Sequence, residues 1–258
     1  EVIADVRAII KTHPNVVKLM ITGGVLDAKE KGEPGALKMP SEFVKAACEE
    51  AHRHGLPVAA HVESPQGVKA ALENGVDTIE HGAEIDEACI ELFLSNKAAH
   101  VATLSPALPF ALFDRSISHV SQTAQYNGKI VFEGIIACAK ACLKAGIPVG
   151  LGTDTGCPYV THYDMWRELH YFHKYCDVSN RFALHSATQV NARIAGIGDL
   201  TGVIMAGKAA DLIVTKENPL EDLSALRSIS MVCTRGKLIK APKVKKIKQV
   251  EEQLDRYL

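Results

Sequence analysis

The chain has 258 residues, with 29 lysines and arginines against 30 aspartates and glutamates, and a hydrophobic fraction of 47%. This length suits one barrel-sized α/β unit or two small domains, and the hydrophobic fraction is sufficient for a buried core. The net charge of −1 gives no sign of a nucleic-acid partner. No apolar run is long enough to cross a bilayer, and no secretory leader is recognisable, so we expect no membrane association.

The seven cysteines are dispersed and form no CxxC pair. An odd, scattered set is typical of reduced thiols, which predicts a cytoplasmic protein. Cys138 and Cys142 are four residues apart on a predicted helix, and we interpret them as core residues. The chain begins at Glu1 rather than at a methionine, so we expect it to be part of a longer protein.

The first 155 residues alternate short apolar runs with amphipathic segments, which predicts strands alternating with helices. The predicted strands are 16–21, 57–61, 77–80, 98–104 and 148–152. Five helices are predicted in this region. The first ends near residue 11, the second runs from the N-cap Ser41 to Gly55, and the third runs from Ser64 to Gly75. The fourth begins at the N-cap Asp86, and the fifth spans 119–145. The segments 22–40 and 105–118 are rich in Gly and Pro and are predicted to be mobile loops over a site.

Strands separated by single helices are parallel and joined by right-handed crossovers. Five such units are sufficient for an open doubly wound sheet, but they are too few to close an eight-stranded barrel. The pattern therefore leaves two α/β architectures open. One is the open sheet, and the other is a (β/α)8 TIM-type barrel of which strands 4–8 are present.

Beyond residue 155 the pattern becomes helical and then turns to short strands. Helices are predicted at 164–176, 179–188 and 191–196, and short strands at 202–204, 211–215, 231–233 and 237–239. The strands indicate a small β module. We therefore predict a partial barrel in residues 1–200, part of a small β-sandwich domain in 201–240, and a C-terminal helical tail in 241–258.

Four polar residues lie at or near the carboxyl ends of predicted strands: Lys18, His61, His81 and Asp154. In β/α barrels the active site is built at that rim. His61 and His81 are one compact β/α unit apart, so they come from adjacent strands at the same height and suit one metal ion. A lysine within an apolar strand either meets a carboxylate or becomes a carbamate that bridges two metals.

Each of these residues alone has an ordinary explanation. His61 and His81 would be core histidines, Lys18 would extend its charge to solvent, and Asp154 would cap a turn. Their occurrence together at four strand ends favours a metal site. His100, at the start of its strand, is interpreted as structural.

The ordered motifs resemble the amidohydrolase superfamily, and within it the imidazolonepropionase-like and Xaa-Pro or Xaa-Arg dipeptidase branch. The motifs are Val17–Gly24, His61, Ile79–Gly82, Gly152–Asp154 and the C-terminal run 184–220. The resemblance implies that Lys18, when carboxylated, and His61, His81 and Asp154 bind one or two Zn2+ ions. It also implies that Asp154 is the proton shuttle, and His162 is a candidate for substrate contact.

The implied activity is hydrolysis of a C–N amide bond in a small substrate by metal-activated water, with a dipeptide or a cyclic amide as the substrate. Alternatives are a deaminase or imidazolone-ring hydrolase on the same scaffold, and an inactive fragment with an incomplete metal site. The family's His-x-His pair of the first strand is absent upstream of Lys18, and His61-Val62-Glu63 replaces the common His-Ala-His. We expect a poor catalyst in isolation, and a homo-oligomer that covers exposed sheet edges.

Overall fold

The computed structural model describes residues 1–258 as two compact units. The first unit contains residues 1–103 and 107–149, and the second contains residues 104–106 and 150–258. None of the helices combines the length and the apolar character that a bilayer-spanning segment requires. The domain boundaries predicted near residues 200 and 240 remain predictions.

The strands β1 to β4 of the first unit belong to a five-stranded parallel sheet in the order β1-β2-β3-β4-β5. Its strands are β1 Val17–Met20, β2 Val58–Val62, β3 Thr78–His81, β4 Ala99–Ala102 and β5 Val149–Leu151. The helices of this region are α1 Val2–Ile10, α2 Ser41–Arg53, α3 Pro65–Glu73, α4 Glu87–Asn96, α5 Leu104–Leu112, α6 Arg115–Ser118 and α7 Gln122–Lys144. The predicted parallel α/β class is confirmed, whereas the numbering of these strands within a barrel is not established.

The helix ends of this unit follow from local side-chain chemistry. Ser64 accepts a hydrogen bond from the backbone N–H of Gly67, and Asp86 accepts one from Cys89, so both predicted caps begin their helices. The cap predicted at Ser41 was wrong, because Pro40 occupies the N-cap position and Ser41 is the first helical residue. Its hydroxyl makes no capping bond.

The segment 105–118, predicted to be a loop, is helical in α5 and α6. The loop prediction rested on the two prolines of this segment. Pro106 falls in the first turn of α5, where a backbone N–H has no partner within the helix. Most of α5 is buried apolar surface, including Leu104 and Leu108 at 0% exposure. Burial of this apolar segment outweighs the loop preference of its prolines.

The second unit contains helices followed by a small antiparallel sheet in the order β6-β7-β8. Its elements are α8 Met165–Cys176, α9 Asn180–His185, a π-helical turn Ser186–Val190, α10 Asn191–Ile194, β6 Leu212–Thr215, a 3-10 turn Leu223–Arg227, β7 Ile229–Thr234, β8 Lys237–Lys240, α11 Lys248–Leu254 and a 3-10 turn Asp255–Tyr257. The strand predicted at 202–204 is wrong. Gly202 adopts a φ of +97° there and Ile204 is 90% exposed, and the segment is an irregular bend.

Glu168 of α8 supports the start of α5 within the second unit. One carboxylate oxygen accepts a 2.7 Å hydrogen bond from the backbone N–H of Leu104, and the other accepts from the N–H and the hydroxyl of Ser105. Burial raises the pKa of Glu168 to about 7, and these three hydrogen bonds oppose that shift. The carboxylate satisfies two N–H groups that the helix itself leaves without partners.

We predict that Glu168→Gln lowers the free energy of unfolding by about 1–3 kcal/mol, the cost of one unsatisfied buried donor. The amide has only one acceptor oxygen, so its NH2 group must face either the Leu104 or the Ser105 N–H. Urea denaturation followed by circular dichroism measures the change. The exposed Glu217, substituted by Gln, is the matched control, and equal stability of the two variants would contradict the bonding described.

Candidate metal centre

The two histidines predicted to share a metal lie at the carboxyl ends of adjacent strands. His61 is near the end of β2, where it is aligned with Met20 of β1 and with Glu80 of β3. His81 is the last residue of β3. The centroids of the two imidazole rings are 4.6 Å apart, and the ring planes cross at 70°. The structure therefore brings together the pair that the sequence spacing suggested.

The backbone at His81 departs from regular strand geometry. The register aligns His81 with Val62, and in a regular strand its side chain would point to the face opposite that of His61. His81 instead has a φ of +69°, in the left-handed region where non-glycine residues are uncommon. Since this conformation ends the alternation of the strand, the two rings meet despite the register.

Glu63 joins the two histidines to form a set of three donors. One carboxylate oxygen of Glu63 and one nitrogen from each of His61 and His81 all lie within 4.8 Å of one another. The Glu63 backbone N–H donates a 3.0 Å hydrogen bond to the hydroxyl of Thr22, which holds the residue just beyond β2. A Cβ placed on Gly24 would lie 3.3 Å from the Glu63 carboxylate and 3.6 Å from the His61 ring. The glycine leaves this side of the group uncrowded.

His81 is held in a form suited to binding a cation. Its Nδ1 lies 2.5 Å from the hydroxyl of Thr103, which directly follows β4. Burial, followed by the positive charges of His61 and Lys18, lowers the pKa of His81 well below its usual value, so the ring is neutral. In the neutral tautomer that is protonated at Nδ1, the ring donates to the Thr103 hydroxyl and Nε2 keeps the lone pair that a metal requires.

Lys18 of β1 contributes charge to this group. The residue is exposed and aligned with Ala59 of β2, and its charge is among the causes that lower the pKa of His81. Two of the predicted site residues, Lys18 and His61, therefore both act electrostatically on a third, His81, within the first unit.

Asp154 and His162, the other two predicted site residues, belong to the second unit. Asp154 follows β5 by three residues, is exposed, and has a φ of +48°. Its carboxylate accepts a hydrogen bond from the Cys157 thiol at 3.3 Å. The end of β5 is fixed by Asn191, whose side chain bonds both the N–H and the carbonyl of Leu151 at 2.8 Å.

His162 is exposed and packs edge-on against Tyr163, with the ring centroids 5.4 Å apart. It lines a cavity of about 750 Å³ within the second unit, together with the basic residues Arg227, Lys243 and Lys246. This is where the structure places the residue that the resemblance suggested for substrate contact.

The donor chemistry of His61, Glu63 and His81 fits a divalent cation. Two imidazoles and one carboxylate are a common ligand set for Zn2+ and for other first-row metals. Sequence reasoning had noted Glu63 only as a departure from a family motif, and it had missed Thr103. Their position in the sequence could have identified them, because Glu63 and Thr103 each follow directly after a strand at the edge of the sheet that carries the histidines.

We predict that Thr103→Val weakens binding of Zn2+ to this group by about 10–100-fold, because an outer-shell hydrogen bond that orients a ligating histidine is lost. Valine has nearly the same shape, so the buried packing at Thr103 is retained. Isothermal titration of the metal-free chain measures the affinity. Thr12→Val, at an exposed site in the same unit, is the control, and unchanged affinity in both variants would refute the role of Thr103.

The sequence and the fold of this chain resemble those of known proteins. The sequence model of the Amidohydrolase family matches residues 2–239. The crystal structure of a candidate prolidase from Bifidobacterium longum is 38% identical, with a TM-score of 0.92 over 99% of this chain and 63% of that chain. That of a Xaa-Pro dipeptidase with methionine bound in its active site is 30% identical, with a TM-score of 0.81 over 93% of this chain and 58% of that one.

Among curated proteins, the ochratoxinase of Aspergillus niger is 31% identical over 254 residues, which cover 94% of this chain and 50% of the relative. The chain thus spans about half the length of the curated relatives it matches. The family model covers nearly all of the chain, and the resemblance inferred from the strand-end motifs is confirmed. The chain belongs to the Amidohydrolase family.

Proposed function

We propose that this chain carries part of the active site of a metal-dependent hydrolase that cleaves the amide bond of a small substrate, with a Xaa-Pro dipeptide as the substrate class. The observation that carries the proposal is the convergence of His61, Glu63 and His81 within 4.8 Å at the carboxyl ends of two parallel strands. The candidate prolidase and the Xaa-Pro dipeptidase, both similar in structure, support the choice of substrate.

We assign the metal ligands to His61 and His81, together with Asp154 and with Lys18 in its carboxylated form, and we add Glu63 to this set. Zn2+ is the proposed ion, because nitrogen and oxygen donors with a hydrolytic task favour it. When bound, such an ion polarises the substrate carbonyl and makes water nucleophilic at neutral pH.

The chain's own residues have distinct tasks in this proposal. Asp154 accepts the proton of the attacking water and passes it to the leaving nitrogen, as a general base and then a general acid. Thr103 positions His81 through its 2.5 Å contact with Nδ1. His162 contacts the substrate. Its basic neighbours Arg227 and Lys243 suit the carboxylate that ends a dipeptide.

Composition and sheet topology support a proposal about the surroundings of the enzyme. The cysteines are dispersed and none forms a disulfide, which suits a reducing cytoplasm. The partial sheet has edges that a second copy of the chain would cover, so we propose a homo-oligomer. The partial barrel in 1–200, the β-sandwich part in 201–240 and the tail in 241–258 are proposed as its domains.

The experiment that tests the function is an assay of amide hydrolysis, on this chain and on a polypeptide extended upstream by about 150 residues, a typical domain length. The panel contains Xaa-Pro and Xaa-Arg dipeptides, ochratoxin, and an aminopurine and an imidazolone as deaminase and ring-hydrolase substrates. We expect metal-dependent release of proline, abolished by His61→Ala. The control is His13→Asn, an exposed histidine at a φ of +55° that asparagine tolerates. Turnover of the ring substrates alone would overturn the proposal.

We predict that Asp154→Asn reduces kcat by at least about 100-fold, because the amide keeps the shape of the side chain but removes the proton acceptor. Asparagine also tolerates the left-handed φ of +48° at this position. Steady-state kinetics with the best dipeptide measures the change, and circular dichroism verifies the fold. Asp199→Asn, in an exposed turn of the same unit, is the control. A kcat within a few-fold of the unsubstituted protein would show that Asp154 is not the shuttle.

A further inference from the structure

A second group of potential ligands lies on the face of the sheet opposite His61. His61 shares its face with Glu80, whereas His100 of β4 is aligned with Ile79 and therefore lies on the other face. The helix α7 packs against β4 and presents Cys138 and Cys142, which are four residues apart and so lie on one side of the helix. His100, Cys138 and Cys142 are each 0% exposed. One donor atom from each lies within 4.8 Å of the other two.

The hydrogen bonding of His100 determines which of its nitrogens has a lone pair. Nε2 lies 2.7 Å from the backbone carbonyl oxygen of His81. Since a carbonyl oxygen only accepts, Nε2 must carry the proton. Burial lowers the pKa of His100 to about 4, so the ring is neutral and Nδ1 has the lone pair. Nδ1 is buried and has no hydrogen-bond partner, a costly state for a polar atom in the interior.

The two thiols lie in surroundings that suit bound sulfur. The backbone N–H of Ala83 donates a hydrogen bond to Cys138, which favours the Cys138 thiolate. The hydrogen bond between Cys138 and Cys142, together with burial, outweighs this effect and raises the pKa of Cys138 well above the usual value. Without a cation the Cys138 side chain is therefore protonated. A Cβ placed on Gly82 would lie 2.9 Å from both the Cys138 sulfur and His100 Nε2. Only glycine leaves this space open.

We propose that His100 Nδ1 and the sulfurs of Cys138 and Cys142 bind a thiophilic d10 cation, Zn2+ or Cu+, as a structural site separate from the candidate metal centre. Two soft sulfurs and one imidazole are the ligand chemistry that these ions prefer. At a Zn–S distance of about 2.3 Å, tetrahedral ligands lie roughly 3.8 Å apart, and one ring nitrogen of His100 already lies within 4.8 Å of both sulfurs. Each thiol releases its proton to solvent when its sulfur binds the ion.

Close packing alone explains why cysteines occupy this position, and it is what the sequence pattern predicted. It does not explain the buried Nδ1 that lacks a partner. A cation accounts for the lone pair and the paired sulfurs together. It would also tie α7 to β4, because its ligands come from both elements.

Cobalt substitution tests the site, because sulfur-to-cobalt charge transfer absorbs in the near ultraviolet and imidazole or carboxylate ligands give no such band. Expression in medium supplemented with Co2+ loads the site while the chain folds. We expect the band in the unsubstituted chain, its loss in Cys138→Ala and in Cys142→Ala, and its retention in Cys48→Ala. Cys48 is the matched control, since it is 1% exposed but belongs to neither group of donors. Elemental analysis of chain from unsupplemented cells identifies the native ion, with one equivalent per chain lost in the same two variants.

The outcome for this site is separable from that of the proposed function. His61→Ala removes a ligand of the candidate metal centre, which contains no sulfur, and should leave the charge-transfer band intact. Absence of the band in the unsubstituted chain would overturn the proposal, as would an unchanged band in the Cys138→Ala, Cys142→Ala double variant. If the alanine variants fail to fold, the unsubstituted spectrum decides alone, because no other cysteine belongs to a three-donor group.

Discussion

The parallel register of β1 to β4 is the constraint on which the candidate metal centre depends. Parallel strands end at the same edge of a sheet, so residues far apart in sequence become neighbours there. This single arrangement places His61 beside His81 with ring centroids 4.6 Å apart, and it places Thr103 within hydrogen-bonding distance of His81. The helices between the strands add little to the site directly, but they bury the opposite face and thereby fix the register on which these distances depend.

His81 is held from two sides, and this links the two faces of the sheet. Its imidazole contacts the Thr103 hydroxyl at the strand edge, while its backbone carbonyl accepts a hydrogen bond from His100 on the opposite face. The side chain is therefore oriented by one neighbour and its backbone by another. Changes in the packing around His100 would reach the candidate metal centre through one peptide group, without touching any of its donor atoms.

Much of the fold followed from local signals, and the failures have local causes. Short apolar runs that alternate with amphipathic segments predicted the parallel strands, and Ser64 and Asp86 predicted helix starts, because these features act within a few residues. The pairing of His61 with His81 was predictable from strand ends. The roles of Glu63 and Thr103 were not, because the direction of a side chain just beyond a strand depends on backbone angles that periodicity does not specify. The helix α5 was missed because Pro106 lies in its first turn, where a helix tolerates proline, and because burial of apolar side chains outweighs the cost of Pro109 in its interior.

The left-handed backbone of His81 determines how a mutational scan of this protein must be interpreted. Histidine, asparagine and aspartate are enriched in that region, and glycine enters it without strain, whereas β-branched residues are genuine outliers there. Valine at this position would therefore combine conformational strain with loss of the imidazole, and its defect would overstate the importance of the ring. Asparagine removes the ring at little backbone cost, and glycine removes the whole side chain. The difference between the effects of valine and asparagine would separate the energy stored in the chain from the chemistry of the imidazole.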